Sequence, residues 1–261
     1  ACLALFLLKH FFNKSLAFIL SLIFLVHPIN SEVAFYISDT QDVLFFFFGI
    51  ISLLFLFVNT QKKYLTLVAL FCLFSLFSKE TGILFMLMVF FYTLIFNRKH
   101  ILLTVSFLVP SIVFYVVLRI NAVTDSYKPV AAPIDALSLS QRLINIPTEV
   151  FFYLKTFFFP LHLSVLHQWA YTKITFDNFY LPLILDLLFL STLVLFGILL
   201  YKKSKKYFKM YLFFALWFFL GLLLHLQIIP LDTTAADRWF YFPIIGMLGM
   251  IGVLLSFLHL P

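Results

Sequence analysis

Residues 179–209 read FYLPLILDLLFLSTLVLFGILLYKKSKKYFK. The first 23 carry one charged side chain, Asp186; the next eight carry five lysines, Lys202, Lys203, Lys205, Lys206 and Lys209. A helix needs about 20 apolar residues to cross a hydrocarbon core of about 30 Å. An apolar run of this length that stops at a cluster of cations reads as a membrane span followed by a basic turn. The whole chain repeats that character. Of its 261 residues, 64% are hydrophobic, 11% are charged and 38 are Phe. A soluble domain carries roughly 25% charged residues, so there is too little polar surface here to coat a globule in water. Disorder, a collagen-like fibre and a disulfide-stapled secreted module are excluded on the same grounds. Cys2 and Cys72 both lie in apolar stretches, where packing is the better reading than a disulfide or a metal site.

Stretches free of charge but for Asp186 in the sixth predict eight spans, at 15–29, 43–58, 64–78, 81–97, 101–118, 179–201, 210–230 and 239–258, with residues 1–8 as the tail of another. The chain opens on Ala1 and shows no signal-peptide pattern, which reads as a fragment of a longer protein. The expected fold is therefore all-α: a single polytopic transmembrane bundle over 1–261. The connections 9–14, 59–63, 98–100 and 202–209 contain only basic charges, and all 11 acids fall in or beside the alternate connections. Short basic loops mark the cytoplasmic face. The formal charge of +7 thus reads as an orientation signal, with lysines near anionic headgroups, and no basic-aromatic surface suggests a nucleic-acid partner. Residues 119–178 form one long outer loop holding four of the ten prolines. Its apolar stretch near 150–166, broken by Lys155 and Pro160, predicts a re-entrant or interfacial helix.

The ionisable residues gather in three groups at the expected outer ends of helices. The first is His27-Pro28-Ile29-Asn30-Ser31-Glu32, followed by Asp39 and Asp42. Pro28 ends a helix; Asp42 either caps a helix opening at Val43 or carries chemistry. His27 is either an interfacial histidine or a ligand group. Glu32, flanked by apolar residues, is costly near a bilayer unless paired or used. The second group is Ser78-Lys79-Glu80-Thr81-Gly82. Adjacent residues do not face each other on a helix, so Lys79 and Glu80 are expected to have different partners. The third is Asp232 with Asp237-Arg238-Trp239-Phe240-Tyr241-Phe242-Pro243. Arg238 is suited to a bidentate grip on phosphate, and Arg119 either serves similarly or snorkels.

Carboxylates and cations above an apolar bundle suit transfer of a group from a lipid phosphate, which needs a base for the acceptor and positive charge for the departing phosphate. No Walker loop, Rossmann glycine pattern, HExxH or GxSxG is present, so nucleotide-driven and zinc chemistry have no motif.

The same three groups resemble the motifs of one family. His27-Pro28 through Glu32-Val33 and Asp42-Val43-Leu44 are similar to its "HP…EAV…(R)xDLL", Ser78–Gly82 to "SKE(T/Q)G", Phe157–Ser164 to "lfPxxLs", and Asp237–Gly246 to "ERyLYlPsiG". The family is that of transmembrane, tetratricopeptide-repeat-containing O-mannosyltransferases and their bacterial relatives, within the GT-C superfamily of membrane glycosyltransferases. The four matches occur in family order between about residues 27 and 250. The resemblance implies a GT-C fold that takes a sugar, typically mannose, from a polyprenyl- or dolichyl-phosphate and passes it with inversion to a hydroxyl of a protein or glycan outside the cytoplasm. It implies a bacterial inner-membrane setting with the active face non-cytoplasmic. It also places the catalytic Asp in an external loop upstream of residue 1, so no catalytic base is assigned. Donor- and acceptor-site candidates are His27, Glu32, Asp42, Lys79, Glu80, Arg119, Asp237 and Arg238. Thr40 or Gln41 stands where many members have Arg, and Asp237 where they have Glu. Carboxylates could bind a divalent cation, although no ligand set is fixed. The alternatives are a transporter or flippase of lipid-linked sugars, for which Asp186 and His225 are the nearest to mid-span groups, and a structural or assembly role.

Overall fold

The computed structural model describes residues 1–122 and 132–258. Asp125, one of the acids assigned to the long loop, lies outside the described residues. Among these the chain is helical and has no strand; one isolated antiparallel bridge joins His167 to Ala235. The α-helices are α1 (Cys2–Phe11), α2 (Lys14–Val26), α3 (Ser31–Phe35), α4 (Thr40–Val58), α5 (Lys62–Ser78), α6 (Ile83–Phe96), α7 (Ile101–Ala122), α8 (Leu139–Phe158), α9 (Leu181–Lys203), α10 (Lys205–Leu223) and α11 (Pro243–Leu258).

The expected eight spans are not what forms. Four stretches are long and apolar enough to cross a membrane: Ile37–Val58, Arg98–Ala122, Phe176–Lys203 and Lys205–Leu223. A fifth arises if Lys14–Val26 and Pro28–Phe35, bent by 54°, act as one broken span. The remaining apolar stretches stop short. α5 has 17 residues and α11 has 16, about 24–26 Å of helix against a core of about 30 Å. Composition reads straight through residues that the backbone spends on turns. Trp239 and Phe240, for example, lie in the 3-10 turn Asp237–Phe240 ahead of α11 rather than within it. The seventh stretch ends as a helix at Leu223 rather than at 230, and the turn beyond it includes Gln227 in a left-handed conformation (φ 53°). With four or five crossings, the strict alternation of basic and acidic connections across two faces no longer follows.

The chain divides into two compact units. The first comprises Ala1–Val26, Tyr36–Tyr127 and Leu248–Pro261; the second comprises His27–Phe35 and Lys128–Met247. In the first, α4 packs against α1, α5 and α6, and α7 packs against α5 and α6. Lipid offers apolar helices no hydrophobic reason to associate, so close packing must hold them, and phenylalanine supplies much of it. Phe24 stacks on Phe46 with ring centroids 5.5 Å apart, and Phe46 meets Phe85 edge-on at 5.8 Å. In the second unit α9 packs against α8 and α10, around the buried rings of Tyr153, Phe213, Phe214, Trp217 and Phe240. The Trp217 indole N–H donates to the Phe242 carbonyl at 2.9 Å, which satisfies the one polar atom that this large side chain brings inside.

The apolar stretch of the long loop does form a helix, with other bounds. α8 starts at Leu139, where Ser138 and Gln141 make a reciprocal capping box, and it ends at Phe158 instead of continuing to 166. The residue before a proline is driven out of the helical region, and Phe159, before Pro160, sits at φ −136°, ψ 76°. α8 buries one face, including Asn145, Glu149, Tyr153, Thr156 and Phe157.

Candidate functional site

The sequence candidates separate into two sets, one in each unit. In the first, the turn between α5 and α6 is decisive. Gly82 allows it, since a Cβ at this position would collide with the main chain of Ser75 and Leu76. The turn sends Lys79 and the following Glu80 to different partners, as adjacency on the chain predicts. Lys79 Nζ donates to both carboxylate oxygens of Asp42, at 2.6 and 2.7 Å. Asp42 is buried, and it lies within the first turn of α4 rather than before it: α4 begins at Thr40, and Asp42 serves as an ion-pair partner instead of the cap expected at Val43. Glu80 accepts from the Arg119 guanidinium near the end of α7, with both side chains more than half exposed. Lys79, Glu80 and Arg119, but not Asp42, line a pocket of about 310 Å³. Lys79, Glu80, Arg119 and Tyr115 give its polar part, and Leu76, Phe77 and Leu118 its apolar wall.

In the second unit, Glu32 and Arg238 are 206 positions apart in the chain and meet directly. Glu32 Oε1 accepts from Arg238 Nη1 at 2.5 Å and Oε2 from the Arg238 main-chain N–H at 2.8 Å. Arg238 Nη2 also lies 4.0 Å from Asp232. The cost of a carboxylate in apolar surroundings, which makes Glu32 conspicuous in the sequence, is thus offset by an arginine drawn from the third motif. Asp237 is buried and faces another way. Its Oδ2 accepts from the Ser164 N–H at 2.7 Å and its Oδ1 lies 3.2 Å from His167 Nε2. The segment that carries Asp237 is held by Gln227, whose amide donates to the carbonyls of Thr233 and Thr234. His27 commits both ring nitrogens: Nδ1 accepts from the Ile29 N–H, and Nε2 donates to the Phe157 carbonyl at 2.9 Å, with the two rings stacked. Its place is that of a brace between the HP turn and the end of α8.

Two groups escaped the sequence reading. His167 lies in a stretch with no motif of its own. Glu149 is fully buried, and neither carboxylate oxygen has a hydrogen-bond partner among the described residues. It sits one helical turn after Asn145, which binds the Tyr171 main chain in both directions, and one turn before Tyr153, whose hydroxyl donates to the Ala236 carbonyl. Burial pushes the Glu149 carboxyl up to about 8, because an isolated charge is costly in a dry interior. The same desolvation raises the Tyr153 hydroxyl well above its ordinary value. A single Glu in an amphipathic helix is the only signal the sequence offers for it.

Among the described residues no group of three or more His, Cys, Asp or Glu side chains converges to hold a metal ion. The divalent cation raised by the number of carboxylates therefore finds no ready ligand set among them. No protein-family model, curated protein or solved structure matches the chain. The likeness to the GT-C mannosyltransferases rests on the four short motifs alone.

Proposed function

We propose that the chain is a membrane glycosyltransferase that moves a sugar, mannose on the motif resemblance, from a polyprenyl- or dolichyl-phosphate to a hydroxyl of a protein or glycan. The reading places it in a bacterial inner membrane with its active face non-cytoplasmic. The observation that carries it is the pocket of the first unit, where Lys79 and Arg119 stand beside Glu80 and an apolar wall. A phosphate at the end of an isoprenoid chain has both characters, and so has this pocket. In the reaction the acceptor oxygen bonds to the anomeric carbon while the bond from that carbon to the phosphate oxygen breaks. The leaving polyprenyl phosphate takes up negative charge, which the two cations stabilise. The acceptor proton passes to a base that these residues do not include.

Arg119 is the position to test, because its pair with Glu80 is exposed and such pairs contribute about 0–1 kcal/mol to stability. With polyprenyl-phosphate-mannose and a peptide acceptor, Arg119→Gln in the purified full-length protein should lower transfer about 10–100-fold, the worth of one charged hydrogen bond. Unchanged transfer by the variant, or no transfer by the parent, overturns the reading. The transporter alternative draws on Asp186, which lies within α9 without a hydrogen-bond partner among the described residues. It requires movement of lipid-linked sugar across a vesicle without any covalent product.

A further inference from the structure

The second unit carries a feature that sugar transfer does not use. Along α9 and α10 runs a groove of about 420 Å³ with apolar and aromatic walls, among them Leu190, Val194 and Ile198 on one helix and Leu212, Ala215 and Phe219 on the other. Its shape is fixed from within. Tyr211 donates its hydroxyl to the Leu193 carbonyl at 2.7 Å and lies over Gly197, where an added Cβ would stand 3.2 Å from the Tyr211 ring. At one end the rings of Tyr201 and Phe208 meet edge to face, 5.1 Å apart.

Beyond those rings come the five exposed lysines of the α9–α10 turn. Residues three or four apart share a helix face. By that rule Lys202 follows Ile198 on the groove face of α9, and Lys205 and Lys209 share the face of Phe208 and Leu212 on α10. No acid occurs between Leu187 and Leu231, so the α9–α10 hairpin itself supplies no counter-charge to this cationic end. The first turn of α10 adds the positive end of a helix dipole.

The depth of the groove identifies its occupant. Leu190 to Tyr201 covers about 17 Å of helix, about half of a hydrocarbon core of about 30 Å. That is one leaflet. A half-depth apolar slot that ends in lysines is complementary to a single lipid with an anionic head. We propose that the α9–α10 hairpin binds an anionic glycerophospholipid, with an acyl chain in the groove and the phosphate against Lys202, Lys205 and Lys209.

The test is lipid binding to the purified full chain in non-ionic detergent, followed by native mass spectrometry with dioleoyl-phosphatidylglycerol and dioleoyl-phosphatidylcholine as probes. Phosphatidylglycerol should bind at least about tenfold more tightly, since each lysine near an anionic headgroup contributes about fivefold. The variant Lys202→Gln/Lys205→Gln/Lys209→Gln should bring phosphatidylglycerol down to the phosphatidylcholine level. Ala215→Trp, which fills the groove, should weaken both lipids alike. The proposal is overturned by equal binding of the two lipids to the parent. It is overturned equally by full phosphatidylglycerol binding to a folded Ala215→Trp chain, which leaves only diffuse surface attraction, or by a dimer that this variant dissociates, which makes a second copy the occupant. The lysine variant tests the headgroup contact and touches no buried side chain; if Ala215→Trp does not fold, Val194→Trp, at an exposed position of the groove wall, tests the acyl-chain contact in its place.

Discussion

Glu149 offers a direct measure of how dry the interior of the second unit is. Its carboxyl is fully buried, without a hydrogen-bond partner among the described residues, and raised from 4.5 to about 8. A carboxyl whose folded pKa is raised holds its proton longer in the folded state than in the unfolded one. Stability is then highest at low pH and falls as pH climbs from the unfolded value towards the folded one. At about 1.4 kcal/mol for each pH unit in that window, the fall between pH 6 and pH 9 is about 3 kcal/mol, nearly all of it below pH 8. Glu149→Gln replaces the ionisable group with a neutral one of the same shape. The measurement is reversible unfolding in mixed detergent micelles at pH 6, 7, 8 and 9, for the parent and for Glu149→Gln. The parent should lose about 3 kcal/mol more than the variant across that range. Parallel curves would refute the reasoning, because they would mean that the carboxyl is ionised and solvated or already paired in the folded state.

Three further outcomes follow from the ion pairs and the turns. Lys79→Met, which strands buried Asp42, should cost about 3–5 kcal/mol, while the double variant Lys79→Met/Asp42→Asn recovers much of it; equal losses in the two proteins would show that the pair is solvated. Arg119→Gln should change unfolding by less than about 1 kcal/mol in the same titration, and a larger loss would place the Glu80–Arg119 pair in the core. Gly82→Ala should destabilise the turn that presents Lys79, seen as a fall in melting temperature greater than that of Gly197→Ala, where the ring of Tyr211 can shift.

How much of this was legible beforehand varied with the kind of question. The membrane character was, because 11% charge cannot coat a globule and no folding detail alters that. The number of crossings was not. Eight apolar stretches of 15–23 residues look alike in composition, yet a helix spends length on caps and turns, and Gln227 and Trp239 show where the backbone did so. Separate partners for Lys79 and Glu80 followed from local geometry alone.

The identity of those partners did not. Asp42 lies 37 positions from Lys79, and Glu32 lies 206 from Arg238; periodicity in one helix says nothing about which distant residue will meet it. Arg238 reads from sequence as an open phosphate grip, and only packing shows its guanidinium engaged by Glu32. Glu149 makes the same point in reverse. The chain displays an ordinary acid in an amphipathic helix, and its isolation comes from what folds around it. Composition settled the solvent, whereas tertiary contact settled which charges were neutralised, because burial and pairing are properties of surroundings rather than of residues.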